Sequence, residues 1–168
     1  MAPITPWKPA TVISRGNVSV GLAPAVADLN TPKVTEFTAT GTYGLECAIQ
    51  NFNATSSTDS ETIDWLCDPT SETVPGSTSH EMDDLVIKTN GQVGDSAFIT
   101  ALKIGQKVYI WRRDGKATSD ALAVGDMVWV WEVMITSIDP LEANNIFVGV
   151  SCHITVLRRT AVPVAMVA

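Results

Sequence analysis

The sequence predicts a mainly β protein with one short α-helix and a long antiparallel β-hairpin. Residues 126–138 and 145–157 alternate with period two. Met127, Trp129, Trp131, Val133 and Ile135 share one face of the first run, and Ile146, Val148, Val150, Cys152, Ile154 and Val156 form an unbroken apolar face of the second. β-Branched and aromatic residues dominate both runs, which favours strand over helix on composition as well as on period. The connection, Asp139-Pro140-Leu141-Glu142-Ala143-Asn144-Asn145, is rich in turn formers. Each run is about twice the usual strand of ~5–6 residues. At ~3.3 Å per residue it extends roughly 40 Å, against a radius of gyration of about 15 Å for a chain of this size. The opposite faces carry Val128, Val130, Glu132, Met134 and Thr136, and Phe147, Gly149, Ser151, His153 and Thr155. That pattern predicts a sheet packed on a core on one side and facing water or a polar channel on the other.

The remaining elements follow in chain order. Residues 1–20 alternate loosely and contain Gly16-Asn17, which predicts a short strand or extended arm. Residues 25–29 can form a helical turn. Residues 42–52 place Tyr43, Leu45, Cys47, Ile49 and Asn51 against Thr42, Gly44, Glu46, Ala48 and Gln50, the pattern of a half-buried strand. Residues 53–80 are rich in Ser, Thr, Pro and Gly around a brief apolar island at Ile63, Trp65 and Leu66, and read as a long loop. Structureless loops beyond ~12–15 residues usually have a job, so Trp65 and Leu66 are expected to anchor this one on its own domain or on a neighbouring subunit. Residues 81–90 read as a strand ending at the Asn90-Gly91 turn signal. Phe98, Ala101 and Leu102 stand at helical spacing, with Asp95 or Ser96 as cap and Gly105 as stop, and predict the one helix over 97–105. Residues 106–113 return to a strand, followed by the Asp114-Gly115 turn, and 160–168 form an uncharged apolar tail that should dock on something.

A chain of 168 residues is expected to form one domain with a core that needs no staples. Its 45% hydrophobic content is that of a globular protein, and no apolar run approaches the ~20 residues of a membrane helix. The proline-rich start lacks the apolar core of a signal peptide, so cytoplasmic synthesis is the expectation. Cys47, Cys67 and Cys152 have no metal-site spacing. Cys47 and Cys67 could form a disulfide, but buried free thiols are the expected state. The net charge of −7 is unevenly spread. Between Val34 and Ile87 stand ten acids (Glu36, Glu46, Asp59, Glu61, Asp64, Asp68, Glu72, Glu81, Asp83 and Asp84) and no Lys or Arg, which leaves eleven bases against eight acids elsewhere. Such a field opposes non-specific nucleic-acid binding. It either solubilises one face or repels something negative.

No stretch proposes catalysis or a metal. Gly16-Asn17-Val18-Ser19-Val20-Gly21 lacks the Gly-Lys-Ser/Thr ending of a phosphate loop. Gly94-Asp95-Ser96 would need a glycine at Phe98 to make a nucleophile elbow, and neither His80 nor His153 has a positional tie to Ser96. Cys152 and His153 are strand neighbours and point to opposite faces, as do Asp83 and Asp84. Asp59, Glu61, Asp64 and Asp68 lack the EF-hand spacing and its glycine. Trp129 and Trp131 on one face could form a sugar platform, but packing inside the sheet is the expectation.

Three pieces carry a family resemblance. They are Ala25-Val26-Ala27-Asp28-Leu29-Asn30-Thr31-Pro32 with Val34-Thr35-Glu36-Phe37; Thr58-Asp59-Ser60-Glu61-Thr62-Ile63-Asp64 leading into Leu66-Cys67-Asp68; and Val108-Tyr109-Ile110-Trp111-Arg112-Arg113-Asp114-Gly115, then Val124-Gly125-Asp126 and the closing hairpin. Their order resembles the major tail tube proteins of long-tailed bacteriophages with flexible, non-contractile tails, especially those infecting actinobacteria. The resemblance implies an antiparallel β-sandwich or barrel with one flanking helix, whose copies form hexameric rings. Inner sheets join around a DNA channel, and rings stack through a long loop and terminal arms. It implies no catalytic residues, no cofactor, no metal and no membrane. The implied partners are other copies of the chain, tail tip or initiator and terminator proteins, and the tape measure protein and genomic DNA in the lumen. The protein would be made in the host cytoplasm and end in the virion tail. Glu46, Gln50, Glu132, Thr136, Ser151, His153 and Thr155, the polar face of the long strands, are the lumen candidates. Trp65 and Leu66 are interface candidates, as are Arg112, Arg113, Arg158 and Arg159, which would pair with acids of an adjacent subunit. The competing readings are a tail terminator or capsid decoration protein, a monomeric carbohydrate-binding module exposing Trp111, Trp129 and Trp131, and an enzyme with a polar pocket.

Overall fold

A computed structural model describes residues 16–49, 52–64, 71–89, 102–141 and 148–168. Among them are nine strands and one single-turn helix: β1 (Val18–Ala23), α1 (Val34–Phe37), β2 (Tyr43–Gly44), β3 (Ala54–Asp64), β4 (Ser71–Met82), β5 (Leu85–Thr89), β6 (Lys107–Asp114), β7 (Met127–Pro140), β8 (Val148–Arg159) and β9 (Val164–Ala165). The protein is mainly β, as its alternation predicts. The main sheet runs β2-β1-β6-β7-β8-β5, with β9 also on β7, and β3 and β4 form a separate two-stranded ribbon. Every strand pair is antiparallel.

The sheet is curled. Val20 and Leu22 of β1 share one core with Val108 and Ile110 of β6, Trp131, Val133 and Ile135 of β7, Cys152 of β8, and Leu85 and Ile87 of β5. The segment after β2 carries the sheet around, because Ile49 bridges Ile87 and the Lys88 amide donates to the Ala48 carbonyl at 2.7 Å. Burying each of these aliphatic side chains contributes roughly 1.5–3 kcal/mol before entropy is subtracted.

The long hairpin is present, with β7 and β8 in register from Trp131↔Arg159 to Pro140↔Val150 and bulges after Glu132 and Ile135. Its second face differs from the expectation along half its length. Val128 and Val130 are wholly buried in a second core with Ala23, Val26, Leu29, Phe37, Trp111 and Met166. The loop before α1, the helix and the C-terminal tail cover this half of the sheet. Glu36 fastens that cover, accepting the amides of Lys33 and Ala27 at 2.8 Å each, and Phe37 packs on Trp111 at 5.5 Å between ring centroids. The Trp111 indole in turn lies over Gly21, where a Cβ would collide with it. The apolar tail docks on its own domain: Met166 is buried, and the Val167 amide donates to the Pro32 carbonyl at 2.9 Å.

Four local expectations need correction. Residues 42–52 are not one strand. After β2 the chain turns, with the amides of Ala48 and Ile49 donating to the Leu45 carbonyl at 2.9 Å. Leu45, Ala48 and Ile49 thus reach the core at helical spacing, which alternation cannot distinguish over so short a run. The loop expected at 53–80 is the β3–β4 ribbon, because Ser and Thr on two exposed faces leave no hydrophobic period to read. The helix of this structure is α1, held by tertiary contacts. Residues 25–29 are not helical. Of the helix expected at 97–105, residues 97–101 lie outside the described residues. Leu102 to Gly105 form a loop and turn closed by Gly105 at φ +81°. Cys47 is exposed rather than buried, Cys152 is a buried free thiol, and Cys67 lies outside the described residues.

Candidate functional site

Two features stand out against this scaffold: an uncovered sheet face and the two-stranded ribbon. The cover over the sheet ends midway along β7. Beyond it, Met134, Ser137 and Asp139 of β7 face outward with Ser151, His153 and Thr155 of β8 and Val86 and Lys88 of β5, as the register requires. His153 is the centre of this face. Its Nδ1 lies 2.6 Å from Asp84 and its Nε2 3.3 Å from Asp139, and the Ser137 hydroxyl donates to Asp139 at 2.9 Å. Thr136, at the bulge, donates its hydroxyl to the His153 carbonyl at 3.0 Å. Because Asp84 directly follows the ribbon, the histidine ties the ribbon's base to the sheet. Among the described residues no group of three or more His, Cys, Asp or Glu is arranged to hold a metal ion.

The structure therefore sorts the lumen candidates. Thr136, Ser151, His153 and Thr155 gather on the open face. Glu46 sits half-buried in the turn after β2, and Gln50 lies outside the described residues. Glu132 does not line an open face. It is 4% exposed, accepts from Arg158 Nε at 2.6 Å and lies 3.5 Å from Lys107. The covered half of the sheet extends to its position.

The interface candidates divide similarly. Trp65 and Leu66 lie outside the described residues. Arg113 is 1% exposed, out of a neighbouring copy's reach, and its two terminal nitrogens are engaged inside the chain while its Nε has no partner. It donates to Asp126 at 3.0 Å, to the carbonyls of Ala117, Asp120 and Ala121 at 3.0, 2.8 and 3.1 Å, and to Ser19 at 3.3 Å. Burial pushes the Asp126 carboxyl up, but bonds from Lys116, Arg113 and the Ala123 amide outweigh it and hold the carboxyl below its ordinary 3.8. Arg158 engages Glu132 and Arg112 engages Asp114 at 2.8 Å, both within the chain. Arg159 lies over the Trp129 ring at 5.7 Å. Sequence spacing gave no sign of the Arg113–Asp126 pair, since its partners are joined only by the fold.

The ribbon is a two-faced arm whose β4 runs beside β8. Ser56, Thr58, Thr78 and His80 lie on one face, linked across strands by Ser56–His80 at 2.8 Å and Thr58–Thr78 at 2.9 Å. Asp59, Glu61, Glu72 and Glu81 lie on the other face, all exposed. Ile63 and Val74, half-buried, sit between Glu61 and Glu72. A cleft of about 470 Å³ separates Thr78 and His80 from Asp28 and Arg158 of the body. Trp111 and Trp131 are buried and Trp129 is half-covered, so the three tryptophans form no exposed sugar-binding stripe.

Comparison with known proteins bears on the fold and the family. No curated protein matches the chain. The SPP1 tail tube, solved by solid-state NMR and cryo-EM, is similar in fold, with a TM-score of 0.59 at 18% identity over 94% of this chain and 81% of that one. The baseplate of the anti-feeding prophage, solved by cryo-EM with six-fold symmetry, is similar with a TM-score of 0.52 at 10% identity over 92% of this chain and 95% of that one. The family profile described as phage tail tube protein matches residues 5–168, and the chain belongs to that family.

Proposed function

We propose that the protein self-assembles into stacked hexameric rings that form the tail tube, a conduit through which DNA passes into the host. The arm carries this reading. An isolated two-stranded ribbon is marginally stable in water at best. This one extends up to 12 residues per strand, with nearly every side chain beyond its base exposed. A second copy is the surface that a self-assembling tube supplies, and the six-fold symmetry of the similar baseplate supports the ring number.

In this reading the open face of β5, β8 and the far half of β7 lines the channel through Thr136, Ser151, His153 and Thr155. The hydroxyls of this face add no fixed charge for DNA to grip, and Lys88 brings one cation to it. Acids within a Debye length of about 8 Å repel passing phosphates. The tape measure protein and DNA occupy the lumen without sequence-specific contacts, and tip, initiator and terminator proteins meet the tube at its ends.

Shortening the arm tests the reading. Ala54 and Met82 are Cα partners, so an Asn-Gly turn can join them directly. The shortened chain should keep its fold and lose polymerisation. Tubes formed by it at the same concentration as the full chain would refute the arm's role.

A further inference from the structure

Where β6, β7 and β8 come together at one end of the sheet, a cleft of about 220 Å³ is lined by Ala54, Arg112, Asp114, Trp129, Trp131 and Arg159. Its floor is aromatic: Trp129 stacks on Trp131 at 6.2 Å between centroids, and Phe52 meets Trp131 edge-on at 5.3 Å. Two guanidiniums flank it. Arg112 uses Nε on Asp114, leaving its terminal nitrogens unbonded among the described residues. Arg159 lies on the Trp129 face, and its Nε is buried without a hydrogen-bond partner. The cleft therefore offers an aromatic floor flanked by the terminal nitrogens of Arg112 and by the Arg159 guanidinium, whose Nε is too deep for a partner to reach.

The arm presents the complement. Ile63 and Val74 form an apolar centre with Glu61 and Glu72 beside them, because Glu61 pairs with Val74 and Ile63 with Glu72. No base among the described residues pairs with either carboxylate. Ala54, the first arm residue, lines the cleft, whereas Glu61 lies seven residues farther out, roughly 23 Å along an extended strand. The arm cannot fold back on its own cleft while it remains a ribbon.

We infer that the cleft is the receptor for the arm of a second copy: Ile63 and Val74 seat on Trp129, and Glu61 and Glu72 pair with Arg112 and Arg159. This assignment rests on the self-assembly reading. It matches an apolar centre to an aromatic floor and two carboxylates to two guanidiniums, one of them shared with Asp114, the arrangement that gives interfaces their register.

The test is charge exchange, read by sedimentation and electron microscopy of the full chain. Glu61→Lys with Glu72→Lys changes only exposed side chains, so folding should persist. Tube assembly should require at least about tenfold more protein, the equivalent of one decade in affinity. Arg112→Glu with Arg159→Glu should have the same effect, and combining all four should restore assembly to near the wild-type threshold. Arm variants that polymerise as the wild type does, or a combined variant no better than either pair alone, would overturn the receptor assignment. If the wild-type chain never associates, even when seeded with preformed tail ends, the self-assembly reading falls with it. If wild-type tubes form and exchange has no effect, only the receptor is wrong.

Discussion

Arg113 and Asp126 meet at 3.0 Å in the interior, with side chains 1% and 2% exposed. The pair closes the 114–126 loop. The guanidinium takes up three loop carbonyls, and Lys116 reaches the other carboxylate oxygen from the surface. Breaking a buried pair by removing one partner costs about 3–5 kcal/mol. Arg113→Met should therefore lower stability by about 3 kcal/mol in urea unfolding, and a loss under about 1 kcal/mol would show that the loop holds itself.

The same pair sets an acid response. The Asp126 carboxyl is depressed in the folded state, so its contribution is present above the ordinary carboxylate value of 3.8 and is lost as pH falls through the lower folded value. Unfolding midpoints should drop as the solution is acidified below about pH 4. Asp126→Asn should start lower and drop less. Equal slopes in the two proteins would remove Asp126 as the cause.

Glu132 gives a prediction opposite to the one its strand position suggests. On an open face, Glu132→Lys would be nearly neutral for folding. Buried beside Arg158 and Lys107, a lysine meets two like charges, and the expected cost is about 3–5 kcal/mol. Glu132→Gln keeps an acceptor for Arg158 and should cost about 1–2 kcal/mol. Thermal melts of both variants decide this, and a fully stable lysine variant would place Glu132 outside the covered half of the sheet.

The cysteines should separate by reactivity. Cys47 is exposed and should label quickly with a maleimide. Cys152 is buried, and burial together with nearby Asp84 pushes its thiol up to about 11, so it should label only on unfolding. Since the folded value lies above the ordinary 9.0, its contribution to stability is intact below pH 9.0 and is lost as pH rises toward about 11. Peptide-level mass spectrometry reads the labelling. Rapid modification of Cys152 in the folded protein would contradict its place in the core.

Elements that bury one face were legible in the sequence. Ile154 and Val156 alternate because β8 has one side on the core, and Val133 and Ile135 do the same in β7. The arm was not legible, because Thr55 to Thr58 are exposed on both faces and no apolar period marks them. Nor was α1, a single turn secured by Glu36 and by Phe37 against Trp111. Of the candidate site, the common face of Thr136, Ser151, His153 and Thr155 was legible from period-two alternation. Glu132 and Arg113 were not, because their burial depends on Lys107, Arg158 and Asp126, which only the folded topology brings near.

Negative-stain electron microscopy of the purified full chain at rising concentration decides whether the chain assembles through its arm. Hollow tubes of stacked six-fold rings should form, spontaneously or on preformed tail ends. A chain that stays monomeric at every concentration, even when seeded with such ends, would contradict assembly through the arm.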